Sequence, residues 1–248
     1  MQRYGTVYAG MYYPEGLPGL TKDSILYCVG AGEDVSHDIE VAKACGAPVY
    51  IFDPTPRAIT HVHLVKAVLN GAPAIPDRRF GGGDPGYWDR ILTHAIPGDS
   101  VHFYPWGLFT TDTPAMKFYL PSNAQYVSHS LMAGMKGVHH ISVPVKKIET
   151  IMKELGHSRI DLLKLDIEGP ECDVLDQMLE AGIFPTYLSV DFDLGWTGER
   201  ISDRERCTAT IDKLYAHGYS LLYNDKNSAE WSFVRRGNLP LATGNRNQ

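Results

Sequence analysis

Short runs of apolar residues alternate along this chain with longer segments in which apolar positions recur every three or four residues. Such runs predict buried strands of a parallel sheet, and the periodic segments predict helices that pack against it. The predicted strands span residues 25–29, 49–52, 101–106, 160–165 and 187–192, and the predicted helices span 36–45, 58–69, 145–155, the segment between Pro170 and Gly182, and about 207–217. Two further runs, 219–223 and 230–235, flank a polar turn and predict a closing hairpin. The pattern therefore predicts an α/β fold with a doubly wound, mostly parallel seven-stranded sheet and an antiparallel edge strand.

Three segments lack any such period. Residues 1–23 are rich in tyrosine, glycine and proline and are predicted to form an irregular lead-in; residues 72–99 are broken by proline and glycine, with a possible helix at 87–94; residues 109–142 carry only possible extra strands at 117–120 and 140–143. A chain of 248 residues is long enough to bury one substantial core, and no internal repeat is visible. We therefore predict a single domain over residues 1–248, with 72–99 and 109–142 as inserted loops.

Charge and composition narrow the class of partner. The chain has 23 basic and 29 acidic residues, a formal net charge of -6, and no block of lysine or arginine longer than a pair. A nucleic-acid substrate needs an electropositive track, so nucleic acid is disfavoured as a partner. No apolar stretch reaches the roughly 18 residues that span a bilayer, and no basic-then-apolar leader opens the chain, which predicts a cytoplasmic protein without a membrane partner. The four cysteines lack C-x-x-C spacing and are predicted to be buried free thiols.

A glycine turn follows the first long strand as Gly30-Ala-Gly-Glu-Asp34, and the next strand ends in Asp53. An acid about 20 residues after such a turn is typical of a site for an adenosine-containing cofactor at the carboxyl edge of a parallel sheet. A dinucleotide site would have a third glycine where this chain has Val35, and the carboxylates of Glu33 and Asp34 would repel a pyrophosphate. S-adenosylmethionine has no phosphate and carries a sulfonium and an ammonium, so the turn favours it as the cofactor.

The predicted cofactor-binding residues belong to this turn and to the ends of the next two strands. They are Gly30, Ala31, Gly32, Asp34, Ser36, Asp53, Pro54, Thr55, Trp106 and Gly107. Asp53 is expected to accept both ribose hydroxyls. Ser36 is equally well explained as a helix-capping residue, and Trp106, which is placed to stack on an adenine, is as well explained as a core residue.

A second acidic turn, Asp166-Ile-Glu-Gly-Pro170, follows the fourth predicted strand. Asp166 and Glu168 lie two residues apart, so in an extended backbone they project to the same side, at the edge where ligands bind in open α/β sheets. Either carboxylate is also suited to cap the helix that begins at Pro170, Glu168 more readily than Asp166.

These two turns carry a resemblance to a known family. The run from Ile160 to Glu171, with the pattern K-x-D-x-E-G-x-E, resembles the hallmark of FkbM-type methyltransferases, and the glycine turn with Phe52-Asp-Pro-Thr-Pro56 resembles the methyltransferase-like branch of that superfamily; together they span roughly residues 25–192. The resemblance implies the Rossmann-like class I methyltransferase fold, S-adenosylmethionine as cofactor, and methyl transfer to a hydroxyl oxygen of a sugar or secondary metabolite. The partner is then a small-molecule acceptor, whose pocket the inserted loops are expected to cover. Asp53 stands where many members have glutamate, which keeps the charge and shortens the reach.

Transfer to a hydroxyl oxygen needs a group that removes the hydroxyl proton. The candidate catalytic residues are Asp166, Glu168 and His129, which lies in a Ser-His-Ser segment of an inserted loop. A divalent cation such as Mg²⁺ is a possible but less favoured aid, with Asp166, Asp191 and Asp193 as its candidate ligands.

Two other functions use the same kind of sheet. An NAD-dependent oxidoreductase or epimerase is disfavoured by the missing third glycine and by the lack of a Tyr-x-x-x-Lys pair. A non-catalytic module that keeps the fold as a scaffold for protein contacts stays open, and methylated product distinguishes it from an enzyme.

Overall fold

A computed structural model of the chain describes residues 1–75, 79–119, 139–192, 201–224, 229–235 and 237. The strands, in chain order, are β1 (Gln2–Tyr4), β2 (Met11–Tyr13), β3 (Leu26–Val29), β4 (Val49–Phe52), β5 (Val101–Tyr104), β6 (Gly107–Leu108), β7 (Thr113–Tyr119), β8 (His140–Lys146), β9 (Leu162–Leu165), β10 (Tyr187–Asp191), β11 (Tyr219–Asn224) and β12 (Glu230–Arg235). The helices are α1 (Ser36–Cys45), α2 (Pro56–Leu69), α3 (Tyr87–Thr93), α4 (Ile148–Leu155), α5 (Glu171–Glu180) and α6 (Ile201–Ala216).

Seven strands form the central sheet in the order β11, β12, β10, β9, β3, β4, β5. Neighbours from β10 to β5 are parallel, and β12 runs antiparallel to both β10 and β11. The predicted α/β fold with a mostly parallel seven-stranded sheet is confirmed, but the prediction that the reversed strand forms the edge is wrong, because it lies one place inside. Burial explains this order: β12 has four consecutive buried residues, whereas β11 has one and takes the outer position.

Alternate residues of the central strands build a separate core on each face of the sheet. Cys28 and Ile51 pack with residues of α1, α2 and α3, whereas Val29 and Phe52 pack with residues of α4, α5 and α6. The strands are therefore buried on both faces, which is why they read as continuous apolar runs in the sequence.

Local signals set most helix boundaries. Thr55 caps α2 by accepting the N–H of Ala58, and Pro56 occupies the first helical position. α1 and α4 end at Gly46 and Gly156, whose φ angles of 68° and 71° are left-handed. Two helix starts differ from the prediction by three residues or more: α4 begins at residue 148 rather than 145 because β8 continues to residue 146, and α6 begins at 201 rather than about 207.

Residues 1–23 are not the irregular lead-in that the sequence predicts. β1 and β2 pair in antiparallel register, with Gln2 opposite Tyr13 and Tyr4 opposite Met11. Tyr4 and Tyr13 are buried in the core that α1 and α2 also build. Strands of three residues are too short to show a period of two, so the hydrophobic pattern carries no sign of this hairpin.

The segment 109–142 contains the two extra strands that the sequence suggests. β7 and β8 pair antiparallel, and with β6 they form a second sheet in the order β6, β8, β7. Residues 120–138 of this predicted loop lie outside the described residues.

None of the described helices combines the length and the apolarity that crossing a membrane requires. All four cysteines are free thiols, and Cys28, Cys172 and Cys207 are buried, as predicted, whereas Cys45 is half-buried.

Candidate active site

A cavity of about 270 Å³ opens at the carboxyl edge of the central sheet, where β3, β4, β9 and β10 end. Residues of β6, of β7 and of the loop between β1 and β2 complete its wall. The predicted site residues that line it are Gly30, Ala31, Gly32, Asp34, Asp53, Pro54, Thr55, Gly107, Asp166, Glu168 and Asp191. Two turns more than 130 residues apart in the chain, the glycine turn and the second acidic turn, therefore share one cavity.

Asp53 holds the glycine turn in place with both of its carboxylate oxygens. Oδ2 accepts the backbone N–H groups of Ala31 at 2.9 Å and Gly32 at 3.0 Å. Oδ1 accepts the N–H and the hydroxyl of Thr55 at 2.8 Å and 2.7 Å. Two bonds to each oxygen use the acceptor capacity of a carboxylate. Asp53 is thus a brace of the turn, and the predicted contact with ribose hydroxyls competes with the bonds that it already accepts.

The two carboxylates inside the glycine turn are also engaged with protein groups. Glu33 forms a bidentate ion pair with Arg57, at 2.6 Å and 3.1 Å. Asp34 accepts the Thr6 hydroxyl at 2.5 Å and both the N–H and the hydroxyl of Ser36, at 2.8 Å and 2.6 Å. Burial raises the pKa of Asp34, and the bonds from Ser36 and Thr6 oppose that rise. Because both carboxylates are already bonded to protein groups, they would repel a phosphate less strongly than the sequence predicts.

A buried lysine joins the two turns. The side chain of Lys164 on β9 is 1% exposed, and its Nζ donates to the Gly30 carbonyl oxygen at 2.9 Å and lies 3.6 Å from Asp166 Oδ2. Burial lowers the pKa of this ammonium, but the charges of Asp166 and Asp38 outweigh it, so the pKa lies above its ordinary value. The two turns can come this close because residue 30 is glycine: a Cβ there would lie less than 3.0 Å from the Asp166 carbonyl oxygen. The glycine turn and the second acidic turn are therefore in direct contact and share Lys164.

The second acidic turn has an unusual backbone. Glu168 has a φ of 61° and Gly169 a φ of 135°, and a left-handed residue other than glycine stores strain that is frequent at functional sites. Glu171 closes this turn by accepting the Gly169 N–H at 2.8 Å. Burial raises the pKa of Glu171 to about 8, so the side chain is largely protonated at neutral pH. Asp166 is also affected: burial and the charge of Glu168 raise its pKa, and Lys164 opposes this.

Asp191, at the end of β10, lines the cavity with the second acidic turn. Burial raises its pKa to about 8, with further contributions from the charges of Asp166 and Glu230. Its Oδ1 is buried and has no hydrogen-bond partner in the described part of the chain. A carboxyl group that titrates near neutrality and has an unbonded oxygen is suited to proton transfer. The sequence suggested this residue only as a metal ligand.

Two predicted cofactor-binding residues do not line the cavity. Trp106 packs against Tyr104, with ring centroids 4.8 Å apart, and Lys146 Nζ lies 3.5 Å from its ring centroid. Ser36 is fully buried and braces Asp34 instead. The lining of this cavity therefore does not support adenine stacking by Trp106 or a ligand contact by Ser36, and both stay predictions. The remaining candidates, His129 and Asp193, lie outside the described residues.

Several cavity residues were not singled out from the sequence. They are Tyr8, Ala9, Val29, Glu33, Phe52, Leu108, Phe118, Lys164 and Ile167. Lys164 had a detectable signal, because a charged residue inside the apolar run 160–165 must be paired if it is buried. Tyr8 had none, since it lies in a segment without a period.

Among the described residues, one cluster of side chains could hold a metal ion, and its members do not line the cavity. Ligand atoms of Cys28, His37 and Asp38 lie within 4.8 Å of one another and all three residues are buried. His37 already bonds Asp38 through Nδ1 and the Tyr13 hydroxyl through Nε2, at 2.9 Å and 3.2 Å. The suggested magnesium ligands Asp166 and Asp191 do not belong to this cluster.

The fold and the cavity define an α/β protein with a candidate ligand site at the carboxyl edge of a parallel sheet. Residues 29–220 match the methyltransferase FkbM domain, and the chain belongs to this family. Among solved structures, the chain is similar to an rRNA methylase from Streptococcus thermophilus, with 9% identity, 86% of each chain covered and a TM-score of 0.39. It is also similar to a fibrillarin/Nop5p complex, with 7% identity, 87% of this chain and 72% of that chain covered, and a TM-score of 0.41. No curated protein matches the sequence.

Proposed function

We propose that the protein is an S-adenosylmethionine-dependent methyltransferase that methylates a hydroxyl oxygen of a small molecule such as a sugar or a secondary metabolite. The observation that carries the proposal is the contact between the glycine turn and the second acidic turn on one cavity, in a chain of the FkbM family. Lys164 fixes this contact by pairing with Asp166 and donating to Gly30.

The cavity residues fit the charge and shape of this cofactor. Asp166 and Glu168 supply carboxylates that attract a sulfonium and an ammonium. Leu108 and Phe118 supply apolar surface on another wall. At Gly32 a Cβ would meet no atom within 4 Å, so the backbone of the turn is open to a ligand. Bound in this cavity, the cofactor would supply an electrophilic methyl group, and methyl transfer would break its carbon–sulfur bond as the carbon–oxygen bond to the acceptor forms.

Asp191 is the residue best suited to take the proton of the acceptor hydroxyl. Its pKa of about 8 keeps a usable fraction as carboxylate near neutrality while making that carboxylate a stronger base than an ordinary aspartate. Asp191 lines the cavity and its buried Oδ1 has no hydrogen-bond partner in the described part of the chain, whereas the carboxylate of Asp166 is paired with Lys164. Asp191 thus replaces Glu168 and Asp166 as the first choice of base in this proposal.

Calorimetric titration with S-adenosylhomocysteine tests the proposal, because this product binds without an acceptor. We expect saturable binding at micromolar ligand and no comparable heat with NADH. Binding of NADH without S-adenosylhomocysteine would instead favour the oxidoreductase. Binding of S-adenosylhomocysteine, followed by mass spectrometry that finds no methylated product in a panel of sugars, phenols and peptides, would favour the non-catalytic scaffold.

A further inference from the structure

The loop between β1 and β2, residues 5–10, lies on the candidate active site although it is outside the residues that match the FkbM domain, 29–220. Tyr8 and Ala9 of this hairpin loop line the same cavity as the two turns. We propose that the hairpin loop is a wall of the cofactor site. In this wall, Thr6 fixes the loop to the glycine turn, and Tyr8 is a binding residue that contacts the bound S-adenosylmethionine. This inference rests on the proposed function.

The loop is fastened to the glycine turn and to α1 by three hydrogen bonds. The Thr6 hydroxyl donates to Asp34 Oδ2 at 2.5 Å, and the Thr6 N–H donates to Ser36 Oγ at 2.8 Å. The Gly5 N–H donates to Glu40 Oε2 at 3.0 Å. Thr6 is 1% exposed, so these bonds are shielded from water and set the position of the loop relative to the turn. Asp34 and Ser36, which the sequence suggested as ligand contacts, serve this attachment.

The ring of Tyr8 lines the cavity and packs closely against Gly82. Gly82, in a short 3₁₀ segment over Phe80–Gly83, lies so close that a Cβ there would come within 3.0 Å of the Tyr8 ring. Burial of its hydroxyl, together with the charges of Asp166 and Glu168, raises the pKa of Tyr8 to about 12. The hydroxyl therefore stays protonated at physiological pH and is a hydrogen-bond donor beside the carboxylates of the second turn. Tyr8 is 55% exposed in the absence of ligand, which leaves surface that a ligand can cover.

A tyrosine in this position offers two kinds of contact to the proposed cofactor. Its ring can pack on the cofactor and attract the sulfonium, as aromatic faces attract cationic ligands. Its hydroxyl can donate to a ligand oxygen. Either contact makes ligand affinity depend on residue 8 while the free protein's stability depends on it little, because an exposed side chain contributes little to the folded core.

The test compares S-adenosylhomocysteine affinity, measured by calorimetry, with the melting temperature of the free protein. We expect Y8A and T6V each to weaken binding about tenfold or more, the size of one lost aromatic or hydrogen-bonded contact. T6S keeps the hydroxyl and should restore binding, and V7A is the matched control, since Val7 is 83% exposed in the same loop. Y8F assigns the contact: weak binding identifies the hydroxyl, and retained binding identifies the ring.

If the wild type binds S-adenosylhomocysteine and Y8A binds it with an affinity within twofold of the wild type, the inference is overturned and the proposed function is left intact. Failure of the wild type itself to bind would overturn the proposed function first. G82A provides a second route, because its Cβ displaces the Tyr8 ring without changing Tyr8, and it should weaken binding as Y8A does. If Y8A does not fold, G82A and Y8F decide the question, and wild-type affinity in both would refute the proposal.

Discussion

Two groups of carboxylates face the same cavity but differ in what the protein bonds to them: the acids at the glycine turn, and Asp191 at the end of β10, beside the second acidic turn. Each acid in or against the glycine turn is bonded by other protein groups: Asp53 by backbone N–H groups, Glu33 by Arg57, and Asp34 by Thr6 and Ser36. Asp191, in contrast, has a buried oxygen without a hydrogen-bond partner in the described part of the chain, and its pKa is raised to about 8.

This difference in hydrogen bonding indicates that the acids at the glycine turn have a structural role and that Asp191 has a reactive one. A carboxylate whose lone pairs are all filled stabilises a shape and leaves its backbone neighbours to meet a ligand. A carboxylate that is buried and poorly bonded has its charged form disfavoured, so it gains basicity that chemistry can use. We infer that the glycine turn shapes the cofactor site and that the region of Asp166 and Asp191 supplies its reactivity.

The contact between the turns should be broken most severely by G30A. A Cβ at Gly30 would collide with the Asp166 carbonyl oxygen, and the φ of 87° is unfavourable for alanine. We expect a loss of about 4 kcal/mol or more of unfolding free energy. G32A is the matched control: its φ is 48°, its Cβ would meet no atom, and it should lose only about 1 kcal/mol. Urea unfolding of both variants measures the difference, and equal midpoints would contradict a tight contact between the turns.

The same substitution, aspartate to asparagine, should lower the stability of the protein at residue 53 and leave it nearly unchanged at residue 191. D53N places an amide NH₂ against backbone N–H or hydroxyl donors, so we expect a loss of about 2 kcal/mol of stability with weaker S-adenosylhomocysteine binding. D191N resembles the protonated side chain that the wild type mostly carries at pH 7, so its stability should change by less than about 1 kcal/mol.

Turnover completes that comparison. D191N should lower the rate of S-adenosylhomocysteine production about 100-fold or more with any acceptor that the wild type methylates. The wild-type rate should rise with pH through about 8, because the basic carboxylate of Asp191 appears as it loses its proton. A D191N enzyme with the wild-type rate and pH profile would exclude Asp191 as the base.

Glu171, at the boundary between scaffold and reactive turn, can be tested by the pH dependence of stability. Its folded pKa, about 8, is raised above the ordinary value, so the stability it contributes is full below the ordinary pKa and is lost as pH rises through about 8. E171Q keeps an acceptor oxygen for the Gly169 N–H and removes the titration. We expect the fall of unfolding free energy between about pH 4 and 8 to be shallower by up to about 1.4 kcal/mol per pH unit. Identical pH slopes for wild type and variant would refute the raised pKa.

The order of strands and helices could be predicted because each buried strand is a continuous apolar run, as at 160–165, and several helices end at a glycine such as Gly46. The place of the two turns on one cavity followed from the carboxyl edge of a parallel sheet. The roles of Asp53 and Asp34 could not be predicted, because an acid that braces a turn and an acid that binds a ligand look alike in the chain. The Tyr8 hairpin was missed because three-residue strands carry no period.

A crystal structure with S-adenosylhomocysteine bound tests the central claim most directly. We predict that its sulfur lies between the glycine turn and the Asp166–Glu168 turn, with Asp191 and Tyr8 facing the position from which the methyl group has left. Density for the ligand at another surface, with this cavity empty and both turns in place, would contradict the assignment of these turns as one methyl-donor site.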